Sequence, residues 1–529
     1  MAAEVSAGET PSITLPRDYN AAVDLIERNL SAGRGDKIAV IDDAGSYSYR
    51  ELATRVDRAA NALRKLGLEP EQRILLCLLD TIDFPTVFLG AIKAGIVPIP
   101  VNTLLTTADY DFMLRDSRAR ALIVSDALLS RFTPILSSQP ALRHVIVSGA
   151  AETKLGRSLA TLLAEAEPKA EAAATTRDDV CFWLYTSGST GAPKGAVHLQ
   201  SHLILTAELY AQRVAGFVES DVVYSAAKLF FAYGLGNALT FPMSVGATAV
   251  LFADRPTPAA VAKILTEKKP TIFCGVPTLY AAMLASPELP RPEQLALRCC
   301  ISAGEALPDQ IGRRWLDHFG VDILDGIGST EMLHIFLSNR PGAVRYGTTG
   351  IPVPGYAIRL VDEQGQPTPI GEVGELQVSG PTSAAFYWNN RERSRDTFQG
   401  TWTRSGDKYT RDADGYYIYC GRTDDMLKVG GIYVSPFEVE AALMTHDCVL
   451  EAAVVEHADE NRLMKPKAFV VLRPGISPSP ALIETLQQHV KSKLAPYKYP
   501  RWIEFMADLP KTATGKIQRF KLRATEMGD

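Results

Sequence analysis

Residues 180–195 read Val180-Cys-Phe-Trp-Leu-Tyr-Thr-Ser-Gly-Ser-Thr-Gly-Ala-Pro-Lys-Gly195, an apolar run followed by small and hydroxylated residues. The apolar run predicts a buried strand. The three glycines and four hydroxyl residues that follow allow the backbone to fold around phosphate oxygens, and Lys194 adds a positive charge. The stretch therefore predicts a strand that ends in a phosphate-binding loop.

This loop does not follow the Walker A pattern, because no register places four residues between a glycine and a terminal Gly-Lys-Ser/Thr. A flexible surface loop is the alternative that the Gly, Ser and Thr content alone favours. If the loop binds phosphate, the candidate contacts are Thr186, Ser187, Gly188, Ser189, Thr190, Gly191 and Lys194.

Short apolar runs alternate with helical segments over the first 350 residues. The strand candidates are residues 37–41, 73–79, 121–125, 145–148, 247–252 and 271–274. This alternation predicts parallel sheets covered by helices. Further along, glycine-punctuated runs such as 374–380 and 415–420 predict a smaller β-rich layer. We therefore expect an α/β fold.

One helix has signals at both ends. Ser48 and Glu51 match a capping box, apolar residues recur at helical spacing from Leu52 to Leu66, and Gly67 can end the helix.

The chain divides into three parts by composition. Residues 1–15 are small and polar and are expected to form a flexible tail. Residues 16–423 are expected to form a large N-terminal domain, and residues 424–529 carry a separate alternation of helices and strands. The elements of this last part are expected at 436–444, 449–455, 467–472, 479–493 and 502–505, which predicts a small α+β domain.

Charge and hydropathy exclude two classes of partner. Lys and Arg total 55 residues against 60 Asp and Glu, so the net charge of -5 supplies no overall basic field for nucleic acid or an anionic membrane. Residues 229–253 contain no charge, but glycine, proline and asparagine interrupt their apolar run. We expect a buried element, a turn and a strand there, with no nucleic-acid partner and no membrane partner.

Cysteine usage indicates the compartment. The seven cysteines form no CxxC pair and have no histidine at zinc-finger spacing, so free thiols in a reducing compartment are expected. The first residues lack the pattern of a secretory signal. Cytoplasmic localisation is the resulting expectation.

Three further motifs carry chemistry. Asp325-Gly-Ile-Gly-Ser-Thr-Glu331 places a carboxylate beside a hydroxyl on a glycine-rich turn, which suits Mg²⁺, although Glu331 could equally favour a helix N-terminus. The other two are Trp402-Thr-Arg-Ser-Gly-Asp407 with Tyr419-Cys-Gly-Arg-Thr-Asp-Asp425, and Pro510-Lys-Thr-Ala-Thr-Gly-Lys516. Singly, each would pass as a turn that bears surface charges.

Taken in this order, the motifs resemble those of the adenylate-forming enzymes, which include acyl-CoA and aryl-CoA synthetases, nonribosomal-peptide adenylation domains and luciferases. The resemblance extends from about residue 20 to about residue 523. It implies that a carboxylic acid reacts with ATP to give an acyl-AMP and pyrophosphate, and that the acyl group then passes to a thiol. ATP, Mg²⁺ and coenzyme A are the implied cofactors.

The resemblance also implies residue roles. Lys516 would bridge the carboxylate and the α-phosphate, Thr330 would bind that phosphate, and Glu331 would bind Mg²⁺. Asp407 would accept the ribose hydroxyls, assisted by Arg422. The residues that would contact the adenine and the rest of the nucleotide are Gly304, Glu305, Asp325, Gly326 and Ile327. Ile327 departs from the family, since many members have an aromatic residue there that stacks on adenine.

The same resemblance places a hinge at Asp424, with a mobile lid beyond it, and Gly430 and Gly431 beside the incoming pantetheine arm. An ordinary turn is an equal alternative for those two glycines. The substrate pocket would comprise Phe230, Phe231, Ala232, Tyr233, Gly234, Ala303, Gly328 and His334. Many members have histidine in place of Phe231, so no histidine role transfers to that position, and His334 is expected to be a core or supporting residue.

The sequences of residues 228–236 and 325–334 resemble those of benzoate-CoA ligases, which implies a small aromatic acid as substrate. Two enzymatic alternatives remain. One is a CoA ligase for a substituted aromatic acid or a short-chain acid, and the other is an adenylation module that loads a carrier protein. No carrier-like segment follows residue 529, which favours free CoA. A degenerate nucleotide-binding protein without turnover is the non-enzymatic alternative. The sequence leaves homodimer formation open.

Overall fold

The computed structural model describes residues 13–149, 154–188, 191–423, 426–429, 432–459, 464–495, 497–511 and 517–524. Its backbone contacts define two compact units. The first comprises Met1–Ala357 and Val378–Thr403, and the second comprises Ile358–Gln377 and Arg404–Asp529. Helices and strands alternate through most of the described chain, so the predicted α/β fold class is confirmed.

The largest sheet of the first unit has nine strands. From edge to edge they are Ile351–Pro352, Ile335–Ser338, Ile323–Gly328, Cys299–Ser302, Ile272–Gly275, Val222–Ser225, Thr248–Val250, Ile38–Ile41 and Ser46–Ser48. The strands from Ile323–Gly328 to Ile38–Ile41 are parallel, and the pairings outside them are antiparallel. Because the carboxyl ends of parallel strands lie at one edge, the segments that follow these strands share that edge, where open α/β sheets bind ligands.

A second sheet of five strands is parallel throughout. Its strands, in order, are Val97–Pro100, Arg73–Cys77, Ala121–Ser125, His144–Ser148 and Arg157–Ser158. The apolar run 180–184 begins the strand Val180–Gly188, which pairs antiparallel with Gly191–Leu199. The strands predicted at 37–41, 121–125 and 145–148 match observed strands to within one residue.

Helices accompany these strands in the first unit. The α-helices are Ala21–Ser31, Tyr49–Lys65, Asp83–Lys93, Thr107–Ser117, Leu159–Glu165, His202–Thr206, Ala232–Leu235, Phe241–Val245, Pro258–Glu267, Pro277–Leu284, Asp309–Phe319 and Arg391–Thr397. Shorter 3-10 segments are Asp126–Arg131, Leu136–Ser138 and Pro292–Gln294, and π-helical segments are Ala207–Gln212 and Gly236–Thr240.

The predicted capping box begins the helix Tyr49–Lys65. The Ser48 hydroxyl accepts a hydrogen bond from the Glu51 amide at 3.2 Å, and the Glu51 carboxylate accepts one from the Ser48 amide at 2.7 Å. Leu52 and Val56 are buried along the apolar face, and Gly67 adopts a positive φ of 78° just past the end. The local sequence signals therefore place both ends of this helix.

The uncharged stretch 229–253 forms short pieces. The helix Ala232–Leu235 continues through a π-helical segment into Phe241–Val245, which ends at Gly246 with φ 81°. The strand Thr248–Val250 follows, so the predicted buried element, turn and strand are confirmed. Within the described residues, no helix combines the length and apolar character that crossing a bilayer requires.

The second unit contains most of a five-stranded sheet and two smaller sheets. The larger sheet consists of Ala357–Val361, Gly374–Ser379, Phe398–Gln399, Trp402–Arg411 and Tyr417–Arg422, and the smaller ones of Leu427–Val429 with Ile432–Val434, and of Val449–Ala458, Met464–Leu472 and Trp502–Phe505. The helices are Pro436–Met444, Pro480–Lys493 and Arg519–Ala524. The helix predicted at 436–444 and the strand predicted at 502–505 occur at those residues.

The predicted boundary between residues 423 and 424 stays a prediction, because residues 424 and 425 lie outside the described part of the chain.

We expect Ser48→Ala to lower the free energy of unfolding by about 1 kcal/mol, because it removes one half of the capping box. The measurement is the shift in the urea unfolding midpoint. Ser46→Ala is the control, since Ser46 is exposed on the preceding strand and caps no helix. Equal shifts for the two variants would contradict the capping argument.

Candidate active site

The hairpin of Val180–Gly188 and Gly191–Leu199 presents the predicted phosphate loop. Thr186 lies opposite Lys194, and Gly188 lies opposite Gly191 at the tip. The strand thus continues beyond its apolar run into the hydroxylated residues. Ser189 and Thr190 lie outside the described residues, as do the side chains of Ser187 and its neighbours at the tip.

Residues 384–388 lie along the strand Gly191–Leu199 of this hairpin. The amide of Val197 donates to the carbonyl of Phe386 at 3.0 Å, and the amide of Trp388 donates to the carbonyl of Gly195 at 2.8 Å. The Trp388 ring stacks on Trp183 with a centroid distance of 4.7 Å. Residues 384–388 are therefore held along the hairpin, and we call them the bracing segment.

The bracing segment joins Lys194 to Glu331. The Lys194 ammonium lies 4.6 Å from the centroid of the Tyr387 ring. The Tyr387 hydroxyl donates to Glu331 Oε1 at 2.6 Å, and the amide of Ala384 donates to the Glu331 carbonyl at 2.7 Å. The structure thus brings two predicted site residues, 137 positions apart in the chain numbering, to the two sides of one tyrosine.

A buried histidine pair supports Thr330. His198 Nε2 lies 2.8 Å from the Thr330 carbonyl, and His198 Nδ1 lies 3.0 Å from His202 Nδ1. Burial lowers the pKa of His198 to about 4, so the ring is neutral near pH 7. A carbonyl can only accept, so Nε2 carries the proton of the neutral His198 ring and Nδ1 is its acceptor atom. No sequence motif indicates this histidine, although it lies only four residues after Lys194.

The strand Ile323–Gly328 carries the other predicted nucleotide contacts. Asp325 lies opposite Ser302 of the neighbouring parallel strand, so Ala303, Gly304 and Glu305 follow at the same edge as Gly328. Gly304 adopts φ 93°. Ile327 pairs with the antiparallel neighbour at Leu337.

Close packing explains the glycines of this strand. A β-carbon on Gly326 would lie 2.9 Å from the Leu337 carbonyl oxygen, and one on Gly328 would lie 2.5 Å from that of His334. Burial raises the pKa of Asp325 well above its ordinary value. Asp325 therefore belongs to a desolvated wall, while Glu331 lies beyond the end of the strand.

The predicted substrate residues follow the parallel strand Val222–Ser225 at the same edge. The Tyr233 hydroxyl is shared between the carbonyls of Ile301 at 3.0 Å and Gly275 at 3.1 Å. Phe230 is buried, Phe231 is half-buried, and their ring centroids lie 4.6 Å apart. Ala232 and Gly234 lie in the first turn of the next helix.

His334 packs among aromatic rings. Its Nε2 lies 3.3 Å from the Tyr233 carbonyl, and its ring centroid lies 4.4 Å from that of Phe241 and 5.4 Å from that of Tyr210. Burial lowers the pKa of His334 to about 3. A β-carbon on Gly236 would lie 2.5 Å from this ring. The neutral imidazole is thus tightly packed beside Tyr233.

A buried carboxylate that no motif indicated anchors the aromatic segment. Both Asp80 oxygens accept from the Leu229 amide, at 3.2 and 3.3 Å, and burial raises the Asp80 pKa to about 6. The adjacent Lys228 ammonium donates to the carbonyls of Phe252 and Asp254. The segment that carries Phe230 and its neighbours is therefore tied at its start.

In the second unit, the predicted ribose motif forms a compact ion pair. Arg422 Nη1 lies 2.9 Å from Asp407 Oδ1, and the two residues are paired across adjacent strands. Gly406 adopts φ 75°, and a β-carbon there would lie 2.9 Å from Arg422 Nη2. The glycine thus permits the guanidinium to reach the carboxylate.

Asp424, Gly430, Gly431 and Lys516 lie outside the described residues. Their predicted roles as hinge, pantetheine contacts and catalytic lysine stay predictions.

Comparison with known proteins identifies the class. A family profile described as AMP-binding enzyme matches residues 26–388, and one described as AMP-binding enzyme C-terminal domain matches residues 438–516. The chain belongs to the AMP-binding enzyme family. The resemblance inferred from the motifs is therefore confirmed.

Particular members are similar over nearly the whole chain. A benzoate-CoA ligase of Thauera aromatica is 64% identical over 516 residues, covering 97% of each chain. The crystal structure of a benzoate CoA ligase from Burkholderia xenovorans LB400 has 57% identity and a TM-score of 0.89, covering 96% of this chain and 100% of that one. An anthranilate CoA ligase solved with anthranoyl-AMP has 45% identity and a TM-score of 0.93, covering 97% and 98%.

We expect the stability of the wild type to fall relative to His198→Gln as the pH is lowered from 6.5 towards about 4. The folded-state pKa lies below the unfolded value, so the unfolded chain binds the proton first, and stability present above pH 6.5 is lost on acidification. The difference should approach about 1.4 kcal/mol per pH unit.

The measurement is the unfolding midpoint of both proteins across this range. Asp80, whose raised pKa acts in the opposite direction, is present in both and cancels. Glutamine can still donate to the Thr330 carbonyl. Parallel pH profiles would contradict a neutral, buried His198.

Proposed function

We propose that this chain is a benzoate-CoA ligase, which converts benzoate, ATP and CoA into benzoyl-CoA, AMP and pyrophosphate through benzoyl-AMP. The observation that carries the proposal is the 64% identity to a benzoate-CoA ligase over 97% of both chains. The gathering of Lys194, Glu331 and the Thr330 segment beside one hairpin supports it.

Adenylation has one main physical difficulty. An anionic carboxylate must attack an anionic phosphate, so fixed cations and donors must offset the repulsion in the transition state. Lys194 would neutralise charge on the outgoing phosphates, and Thr330 would donate to the α-phosphate. Lys516 would bridge the carboxylate and the α-phosphate, for which the compact charge of an ammonium is suited.

The nucleotide sugar would bind Asp407. An ionised carboxylate can accept hydrogen bonds from both ribose hydroxyls, and the ion pair with Arg422 holds it in place. Gly304, Glu305, Asp325, Gly326 and Ile327 would form the adenine side.

The residues present fit Mg²⁺. Glu331 would hold the ion through its carboxylate, which the Tyr387 hydroxyl orients by a hydrogen bond to Oε1, and Mg²⁺ commonly uses one or two carboxylates together with substrate phosphates and water. When bound, the ion would neutralise charge on the pyrophosphate leaving group.

A small aromatic acid suits the proposed pocket. Phe230, Phe231 and Tyr233 offer flat apolar surfaces, and the neutral His334 places no charge beside the ring. Ala232, Gly234, Ala303 and Gly328 add little bulk. Because an anthranilate CoA ligase is 45% identical to this chain, ring-substituted benzoates are also candidate substrates to be tested.

Thioester formation requires a second arrangement of the site. We propose residues 424–529 as a lid that turns about Asp424 between the two half-reactions, with Gly430 and Gly431 beside the pantetheine arm. Absence of a side chain at those glycines would allow close approach. We also propose that the protein acts in the cytoplasm, since ATP and CoA are supplied there.

A substrate panel tests the function. The acids are benzoate, the hydroxybenzoates, the aminobenzoates and short fatty acids, each with ATP and CoA, with AMP release as the readout. We expect benzoate to give the highest kcat/KM and AMP release to require CoA for turnover. A preference for fatty acids, or no acid-dependent release, would refute the assignment.

We expect Lys516→Ala to slow benzoyl-AMP formation by about 100-fold or more while ATP binding changes little, because the lost charge acts mainly in the transition state. Pyrophosphate release in a single turnover measures the step. Lys511→Ala is the matched control, since this lysine lies five residues earlier in the sequence and pairs with Glu451 and Asp508. Near-normal adenylation by Lys516→Ala would remove Lys516 from the mechanism.

A further inference from the structure

We propose that Tyr387 is a positioning residue for the adenylation half-reaction, which presets the Glu331 carboxylate and the Lys194 ammonium for the metal-bound nucleotide. The inference deepens the proposed function and rests on it. The observation behind it is a single side chain whose hydroxyl reaches Glu331 and whose ring lies against Lys194.

The hydroxyl selects one orientation of the carboxylate. A 2.6 Å hydrogen bond from a phenol to an ionised carboxylate is charge-assisted and stronger than a neutral bond. It holds the Glu331 carboxylate through Oε1 and thereby fixes the directions in which the remaining lone pairs can meet a cation. The amide of Ala384 holds the backbone of the same residue at 2.7 Å, so both the main chain and the side chain of Glu331 are restrained.

The ring restrains the lysine. A lysine side chain is a flexible chain of four carbons, and its ammonium is ordered only by its partners. Contact with an aromatic face at 4.6 Å from the centroid favours the cation through the ring quadrupole. Tyr387 therefore lowers the entropy that Lys194 loses when it binds phosphate.

Tyr387 itself is held by its surroundings. It is 3% exposed, it forms a bridge with Ala196 of the hairpin, and its amide donates to the Ser394 hydroxyl at 3.0 Å. Its ring packs against Phe398 at 5.1 Å between centroids. The position of the phenol is thus set by packing within the first unit.

Two substitutions separate the two contacts. Tyr387→Phe keeps the ring against Lys194 and removes the hydroxyl, whereas Tyr387→Leu removes both. The full chain is used, and the readouts are the affinity for Mn²⁺ in the presence of ATP, by electron paramagnetic resonance, and the affinity for ATP in EDTA, by calorimetry. KM values for ATP and benzoate are measured alongside.

For Tyr387→Phe we expect Mn²⁺ affinity to fall by about tenfold, as for the loss of other partners of metal ligands, with metal-free ATP affinity and the KM for benzoate unchanged. For Tyr387→Leu we expect the same loss and a further fall of about two- to fivefold in metal-free ATP affinity. The unfolding midpoint of Tyr387→Phe should stay close to the wild-type value.

Tyr185→Phe is the matched control. Tyr185 belongs to the same hairpin, and its hydroxyl donates to the Asp116 carboxylate at 2.7 Å, away from Glu331. This variant should leave Mn²⁺ affinity unchanged. A similar fall in both phenylalanine variants would overturn the proposal, since the loss of affinity would then not depend on the hydrogen bond to Glu331.

Unchanged Mn²⁺ affinity in Tyr387→Phe would overturn the proposal, as would an equal loss of ATP affinity with and without metal. Glu331→Gln serves as the benchmark, and intact Mn²⁺ binding in that variant would remove the carboxylate on which Tyr387 is argued to act. Failure of the proposed function would appear instead as a wild type that releases no AMP with any acid, and the binding measurements are independent of that result.

Discussion

The pairing of residues 384–388 with the strand Gly191–Leu199 is the constraint on which the site depends. Backbone hydrogen bonds from Val197 and Trp388 hold this segment, and the stacked Trp183 and Trp388 rings fill the space beside it. Without that pairing, no described element would place Tyr387 between Lys194 and Glu331. A backbone ladder is suited to this task because each bond has a narrow range of geometry.

Burial separates the groups that carry charge from those that support them. His198 and His334 are neutral because desolvation lowers their pKa values to about 4 and about 3. They orient a carbonyl and an aromatic wall without adding charge. The charged groups of the first unit's site, Lys194 and Glu331, are left to act on the nucleotide and its cation, where opposite charges are needed.

Much of the fold was predictable. The capping box of Ser48 and Glu51, the strand at 121–125 and the helix at 436–444 depend on residues close in sequence, and the structure has them there. The pairing of Asp407 with Arg422 brings together two residues of neighbouring motifs. Tyr387, His198 and Asp80 were not identified, because their partners are 56, 132 and 149 residues away.

The sequence by itself determined the order of strands and helices, the family and the residue types available for chemistry, because periodicity, capping and motif spacing are local properties of a chain. Only the tertiary structure decided which polar groups meet. A phenol, a carboxylate and an ammonium can form one unit only after two distant backbone segments have paired, and no short pattern records that long-range register.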